Sequence, residues 1–451
     1  MTEERGAEGR AARGMFASLG HRDFRFLWGA NLAATFAMQM SQVARGWLVY
    51  AMTGSAVKLA WVMLSFLAPT IVFSLVGGVL ADRLPKKRIM VSAQFVNCLS
   101  TFGLAGIVYT GAIEFWHFIA FGVLNGTVLA ISMPARQAII PEIVGERGIF
   151  NAIALSSMSM NLSRVLGPTA AGATIAWVAG GDTGSTTGVG IVFFVIATLY
   201  GLSSLSTACL RARGESPARS RGPVLDELFA GVRYIAATPL LRALFVLAFL
   251  ATLFGMPAQF LMPAFNEDAL GGGPDDLGLL MGAMGVGAVA GSLILARMGE
   301  SRGKGWLMIV AALAWAVATA WFAAADDVEA ALPLAAVSGF FSSTFMSLNN
   351  SLIQLSVTNE MRGRVMSAVM MMWGLMPIGV VPISFLAEAV GIARALEACA
   401  VVLVVVTLAA AALLPELRRI DTGYTDDDVE GLGAPEDDSV RDAVAGRSKM
   451  D

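Results

Sequence analysis

The chain has 451 residues, 56% of them hydrophobic and only 14% charged, with a formal net charge of −3. Soluble proteins carry about a quarter charged residues, so an ordinary soluble domain is excluded; the net charge itself says little, because the position of charges matters here and their total does not, and no nucleic-acid partner is expected. Three cysteines, Cys98, Cys209 and Cys399, all sit in apolar runs, which excludes a disulfide framework.

In chain order, residues 1–25 are polar and Arg-rich, so they read as a cytoplasmic tail and not a cleavable signal. A span needs about 20 apolar residues to cross roughly 30 Å of hydrocarbon, and twelve runs qualify. Six lie near 26–50, 57–80, 89–110, 115–138, 152–178 and 188–210. The linker 211–240 follows, with Val224 to Ala237 expected as a short amphipathic helix on the membrane surface. Six more runs lie near 241–263, 277–298, 306–325, 331–355, 365–388 and 391–414. Residues 415–451 are acidic without apolar periodicity and read as a disordered cytoplasmic tail. Backbone groups in lipid must bond within their own segment, so runs of this length are helices. The expected fold is an all-α membrane protein of twelve transmembrane helices in two six-helix halves, 26–210 and 241–414.

The loops set the orientation. Arg83, Lys86, Lys87 and Arg88 follow span 2, Arg136 and Arg147 follow span 4, and Arg211, Arg213, Arg219 and Arg221 follow span 6. Arg297, Arg302 and Lys304 follow span 8, Arg362 and Arg364 span 10, and Arg418 and Arg419 span 12. The alternate loops hold only Lys58 and Arg394 beside a series of acidic residues. The positive-inside bias therefore puts both termini in the cytoplasm.

Two motifs stand out. Between spans 2 and 3 runs Gly78-Val79-Leu80-Ala81-Asp82-Arg83-Leu84-Pro85-Lys86-Lys87-Arg88. Asp82 is short enough to cap a neighbouring helix N-terminus, whose partial positive charge favours a carboxylate. The segment resembles the loop between helices 2 and 3 of the major facilitator superfamily, matching at Gly78, Asp82, Arg83, Lys87 and Arg88, with Pro85 where a second glycine is usual. Span 5 carries Ser163 to Gly172, similar to a signature of proton-coupled exporters of that superfamily at Gly167, Pro168 and Gly172; Ser163 and Ala171 replace two glycines. Phe24 to Trp28, Trp47 to Tyr50, Thr53 to Ala56, the loop Pro134 to Glu142, and the group Asn161, Arg164, Gly167 and Pro168 resemble the transmembrane secretion effector branch, which includes bacterial enterobactin-type exporters. The resemblance implies the major facilitator fold, a cavity surrounded by helices 1, 4, 7 and 10, and alternating access with Asp82 and Arg83 in the cytoplasmic latch.

Polar residues recur at helical spacing. Ser157, Asn161, Arg164 and Pro168 share one face of span 5. Asn31, Thr35, Met38, Gln42 and Arg45 make a stripe on span 1, Asn125, Leu129, Ser132 and Arg136 on span 4, and Ser343, Ser347, Asn350 and Gln354 on span 10. Span 7 offers Gln259 with Pro257 and Pro263. The candidate substrate path is therefore Asn31, Gln42, Arg45, Asn125, Asn161, Gln259, Asn350 and Gln354. For each neutral residue the competing reading is a bond that merely ties helices together. An arginine at the membrane centre costs about 2.5–3.5 kcal/mol on insertion scales, so Arg45 and Arg164 need a partner or a wet cavity.

No Asp or Glu lies in the middle third of any span, which points away from cationic cargo and towards neutral, amphipathic or anionic molecules, siderophore-like ones included. Only two histidines exist, His21 and His117, neither mid-span, and Gly299 to Gly305 is one residue short of a phosphate-binding loop. No enzyme, catalytic residue, metal site or bound cofactor is expected, with the proton gradient as energy source. The expected partners are a small-molecule substrate and the lipid bilayer, and the chain is expected to be monomeric in a bacterial cytoplasmic membrane. An importer or facilitator in the same fold is the alternative reading; a non-transporting sensor or scaffold is the weaker one.

Overall fold

The computed structural model describes residues 17–179, 186–212, 214, 224–298 and 303–418. Most of both tails and the middle of the linker lie outside the described residues. So do the side chains of a few residues within helices, Asp82 and Arg147 among them.

A 3-10 turn, Ala17–Gly20, leads into α1 (Arg22–Thr53). That helix stops because Gly54 takes the left-handed conformation (φ 55°), letting its N–H reach the Tyr50 carbonyl at 2.7 Å. Ser55 then caps α2 (Ala56–Arg83) by accepting from the Lys58 N–H at 3.2 Å. After α3 (Lys86–Tyr109) comes one helical run of 65 residues, Phe115–Ala179, broken at Gly145 (φ 65°, ψ 171°). The break gives α4 (115–144) and α5 (146–179). α6 is Thr186–Ala208 and α7, in the linker, is Val224–Ala237.

The second group opens with α8 (Pro239–Gly255), α9 (Pro257–Phe260) and α10 (Met262–Asp268), one crossing interrupted where Pro257 and Pro263 withhold backbone donors. α11 (Pro274–Met298), α12 (Lys304–Ala323) and α13 (Val328–Leu355) are continuous. α14 (Asn359–Gly374) and α15 (Pro377–Val390) form a second broken crossing, and α16 (Ile392–Leu413) ends the bundle.

Ten of the described helical segments are long and apolar enough to cross a membrane. The other two bundle helices, α1 and α5, are long enough but polar. α1 holds Asn31, Gln39, Gln42 and Arg45, and α5 holds Asn151, Asn161 and Arg164. Departure from a lipid-like composition is thus concentrated in the two helices that carry the central arginines.

Several boundaries differ from the sequence expectation. α1 starts at Arg22, inside the expected tail, and α8 starts at Pro239 inside the expected linker. The expected loop 139–151 is almost entirely helical. Beside charged residues in the sequence it carries an apolar face: Ile139 and Val144 pack with Phe24, Leu27, Ala81, Ile89, Ala152, Leu155 and Leu210 in a compact cluster at the end bearing the basic loops. Hydropathy reports the hydrocarbon thickness, while this helix continues beyond it.

Hydroxyl-to-carbonyl bonds stitch the first six helices. Ser203 donates to the Ala30 carbonyl (2.8 Å) and Ser206 to that of Phe26 (2.8 Å), while the Trp28 indole N–H reaches the Leu155 carbonyl (3.1 Å). Such bonds suit a bundle whose lipid surroundings supply no hydrophobic drive between helices.

The basic knot between α2 and α3 makes specific bonds within its bundle. Lys86 is 4% exposed, pairs with Glu142 and donates to the Gly214 carbonyl (3.2 Å). Lys87 donates to the Leu210 carbonyl (2.6 Å), and Asp23 accepts from the N–H groups of Arg211 (3.0 Å) and Ala212 (2.8 Å). The start of the linker is therefore tied to the first bundle. α7 packs instead on α14, where a Cβ on Gly231 would lie 2.6 Å from the Arg364 carbonyl oxygen. Burial first of all raises the pKa of the Tyr234 phenol on this helix.

Candidate functional site

α1–α6 pack as one bundle and α8–α16 as a second, and the two meet chiefly along α5 with α11 and along α2 with α14 and α15. Glycines make the first seam. A Cβ on Gly172 would lie 2.3 Å from the Pro274 carbonyl oxygen, and one on Gly278 2.7 Å from that of Pro168. Further along, a Cβ on Gly282 would meet Thr169 Oγ1 at 2.3 Å and one on Gly285 the Arg164 carbonyl oxygen at 3.0 Å. Thr169 adds a hydrogen bond to the Gly278 carbonyl at 3.3 Å. Gly167 faces the other way, towards α1, where a Cβ would lie 2.7 Å from that of Gln39. The span 5 motif thus joins α5 to two neighbours by backbone approach.

The two bundles are also bonded at the end opposite the basic loops. The Tyr50 hydroxyl donates to Asp268 (2.5 Å), the Ser55 hydroxyl donates to Glu388, and Glu388 also accepts the Val57 N–H (3.2 Å). Beside Asp268, Glu267 has a buried carboxylate oxygen without a hydrogen-bond partner. Towards the basic end the polar stripes are uncovered. Ser157 on α5 and Ser351 and Gln354 on α13 are exposed, and Asn161 and Asn350 are half-buried. The cleft therefore opens towards the basic loops and is shut at the other end.

At the closed end of that cleft is a small cavity whose polar lining is Gln39, Arg164, Gln259 and Ser342. Pro168, Met281, Met284 and Ala288 supply apolar wall, and Gly285 and Gly339 leave room. Arg164 is exposed although it lies midway along α5, and no carboxylate lines the cavity. The site offers a fork of guanidinium donors and two amides against polarizable walls, with the Ser342 hydroxyl, whose proton goes to the Gly339 carbonyl (3.0 Å), left as an acceptor; the arrangement is able to hold an anionic or polar head beside an apolar body.

Of the sequence candidates, Arg164, Pro168 and Gln259 come together here, with Asn161 on the approach. Asn31 is buried within its bundle, and Gln42 is half-buried. Arg45 places its guanidinium 5.8 Å from the centre of the Phe66 ring on α2. Asn125 donates to the Phe121 carbonyl of its own helix (3.0 Å), and next to it Gly126 lets α4 approach α2, with a Cβ there 2.1 Å from the Phe66 carbonyl oxygen. The expectation of a cavity bounded by helices 1, 4, 7 and 10 is corrected: α1, α5, α9, α11 and α13 line this one, so spans 5 and 8 replace span 4. The glycine seam draws α5 and α11 inward, while Asn125 is spent on its own helix.

Gln39, Met281, Met284 and Ser342 escaped the sequence reading. For Gln39 the sequence does carry a signal, because it lies four residues after Thr35 and three before Gln42, beside Met38 on the same stripe. For the methionines on α11 it carries none.

The loop motif is also sharpened. Gly78 faces open space, whereas a Cβ on Gly77 would lie 2.2 Å from the Ala130 carbonyl oxygen, so Gly77 makes the close approach to α4. Arg83 and Arg88 are exposed, and Asp82 sits in the last turn of α2. Pro85 fits in place of glycine because the turn needs no positive φ: Leu84 has φ −113° and Pro85 φ −55°.

Two packed helical bundles around a cleft closed at one end, with an exposed cation at its apex, define a membrane transport protein. The chain belongs to the transmembrane secretion effector family of the major facilitator superfamily, whose family model matches residues 13–430. It is 26% identical to the multidrug efflux pump Tap of Mycolicibacterium fortuitum, over 87% of this chain and 95% of the pump. It is 23% identical to the staphyloferrin A transporter of Staphylococcus aureus, over 85% and 94%, and 25% identical to the enterobactin exporter EntS of Shigella boydii, over 64% and 67%. In fold it is similar to an inward-facing, unoccupied bacterial homologue of the lysosomal transporter Spinster (TM-score 0.70, 15% identity, 89% of this chain and 98% of that one). It is also similar to a D-xylose–proton symporter (TM-score 0.67, 13% identity, 89% and 99%).

Proposed function

We propose that this chain is a proton-coupled exporter of small neutral, amphipathic or anionic molecules, siderophore-like carboxylates and catecholates among them, in a bacterial cytoplasmic membrane. The observation that carries the reading is Arg164, exposed at the apex of the cleft among Gln39, Gln259 and Ser342, with no carboxylate in the lining. A cationic drug would meet an uncompensated positive charge there, whereas an anion would supply the missing partner. The names of the relatives, two of them an efflux pump and an exporter, support the direction; so does the exporter-like motif in α5, which also supports proton coupling.

In this account α1 and α5 cross the membrane with the ten more apolar segments, making twelve spans with both termini cytoplasmic, and a single chain holds the whole path. Cargo enters from the cytoplasm into the cleft as it stands, and the two bundles then rock about the central site to open the opposite end. Asp82 and Arg83 act in the latch that closes the cytoplasmic end. Asp82→Asn should lower transport several-fold while membrane insertion, followed by membrane-fraction yield, stays normal; unchanged transport would leave the loop as a topological anchor. The cargo class is tested in inside-out vesicles with a carboxylate dye and a cationic phenanthridinium dye. Preferential accumulation of the carboxylate dye is expected. Strong export of the cationic dye, unchanged in Arg164→Ala, would refute the cargo class.

A further inference from the structure

The first N–H groups of a helix have no partner within it and carry partial positive charge. At the start of α2, Ser55 accepts the Lys58 N–H, and the next partner comes from the other bundle: Glu388, in the last turn of α15, accepts the Val57 N–H (3.2 Å) and the Ser55 hydroxyl. The cap of a first-bundle helix is thus completed by a second-bundle carboxylate. A parallel bond lies close by. Tyr50, 4% exposed at the end of α1, donates to Asp268 at the end of α10 (2.5 Å).

We propose that Glu388, assisted by Asp268, is the outer latch of the transport cycle, holding the end of the cleft opposite the basic loops shut by capping α2 across the two bundles. The inference rests on the alternating-access reading above, and it assigns a conformational task to two residues outside the cargo cavity. Separating the bundles at this end would strip the Glu388 carboxylate of two donors, leave the Val57 N–H without its acceptor and take the Tyr50 hydroxyl from Asp268. Hydrogen bonds to a carboxylate are the stronger kind, so the latch biases the chain towards the state with the cleft open to the cytoplasm.

The test is a distance measurement on the full chain in lipid nanodiscs, with Cys98, Cys209 and Cys399 replaced by alanine. Spin labels are placed at Ala112, in the turn after α3, and Asp326, in the turn after α12, both exposed at this end. The unaltered latch should give mainly the short distance. Glu388→Ala should raise the ratio of long to short distances about tenfold, as expected for one lost charge-assisted bond. Glu388→Gln, which keeps size and an acceptor oxygen, should fall between, and adding Asp268→Asn to it should move the distribution further. Distributions that superimpose on the parent for monodisperse Glu388→Gln and for the double variant would overturn the latch, whether or not Glu388→Ala folds. A shift in distances without any dye transport by the parent would keep the latch and refute the transport reading instead.

Discussion

Replacing Arg164 by alanine is expected to reduce transport of a carboxylate dye by about tenfold or more, with little change in thermal stability. Hydrogen bonds to charged groups contribute about 1.5–3 kcal/mol, and each 1.4 kcal/mol is a factor of ten. Stability is spared because the guanidinium is exposed in the cleft and the cavity holds no carboxylate that its removal would strand. Arg164→Lys should recover part of the rate, since it keeps the charge but not the planar fork that grips a carboxylate at two points. Initial rates in inside-out vesicles, read beside the melting temperature of the purified protein, check both parts. A large fall in melting temperature with proportionate loss of every transported dye would show that Arg164 ties helices together.

A bulky residue at Gly172 should have the second large effect. Its absent Cβ leaves only 2.3 Å to the Pro274 carbonyl oxygen and 3.0 Å to the Gly278 Cα, so both neighbours of a valine are backbone and cannot turn aside. Overpacking typically costs about 1–3 kcal/mol, and here the strain falls on the state in which α5 and α11 are closed together. Gly172→Val is expected to shift the population away from the cytoplasm-open state by about 5- to 150-fold and to lower transport accordingly. Gly78→Ala is the matched contrast. Its Cβ would meet nothing within 4 Å, so that substitution should be tolerated although it falls in the better-known motif. Transport rates and cross-linking across the α5–α11 seam distinguish the two.

The contrast between these glycines shows what was legible in the sequence. Hydropathy located the helices because each run must match the hydrocarbon thickness. It failed at 139–151 because a helix leaving the membrane keeps an apolar face beside charged residues. The small residues Gly167 and Gly172 of α5 are of the kind that lets helices approach closely, and both sit against neighbouring helices without room for a Cβ. Which helix α5 approaches depends on glycines 278, 282 and 285 of α11, more than a hundred residues away, and no local pattern pairs them. For the same reason Arg164 and Gln259 could be marked as candidates, but their meeting with Gln39 and Ser342 is a property of the packed bundles. Asn125 looked equivalent to Asn161 in spacing; it differs because its amide bonds its own helix. The carboxylates at 268 and 388 were visible only as residues at the ends of spans, since their partners, Tyr50 and Ser55, lie in the other bundle.

Proton-coupled export through a cleft headed by Arg164 is read out by dye accumulation in inside-out vesicles with an acid interior imposed across the membrane. The carboxylate dye should accumulate above its equilibrium level, a protonophore should abolish the excess, and Arg164→Ala should remove most of it. Equilibration to the same level with and without the gradient would contradict the coupling and make the protein a facilitator.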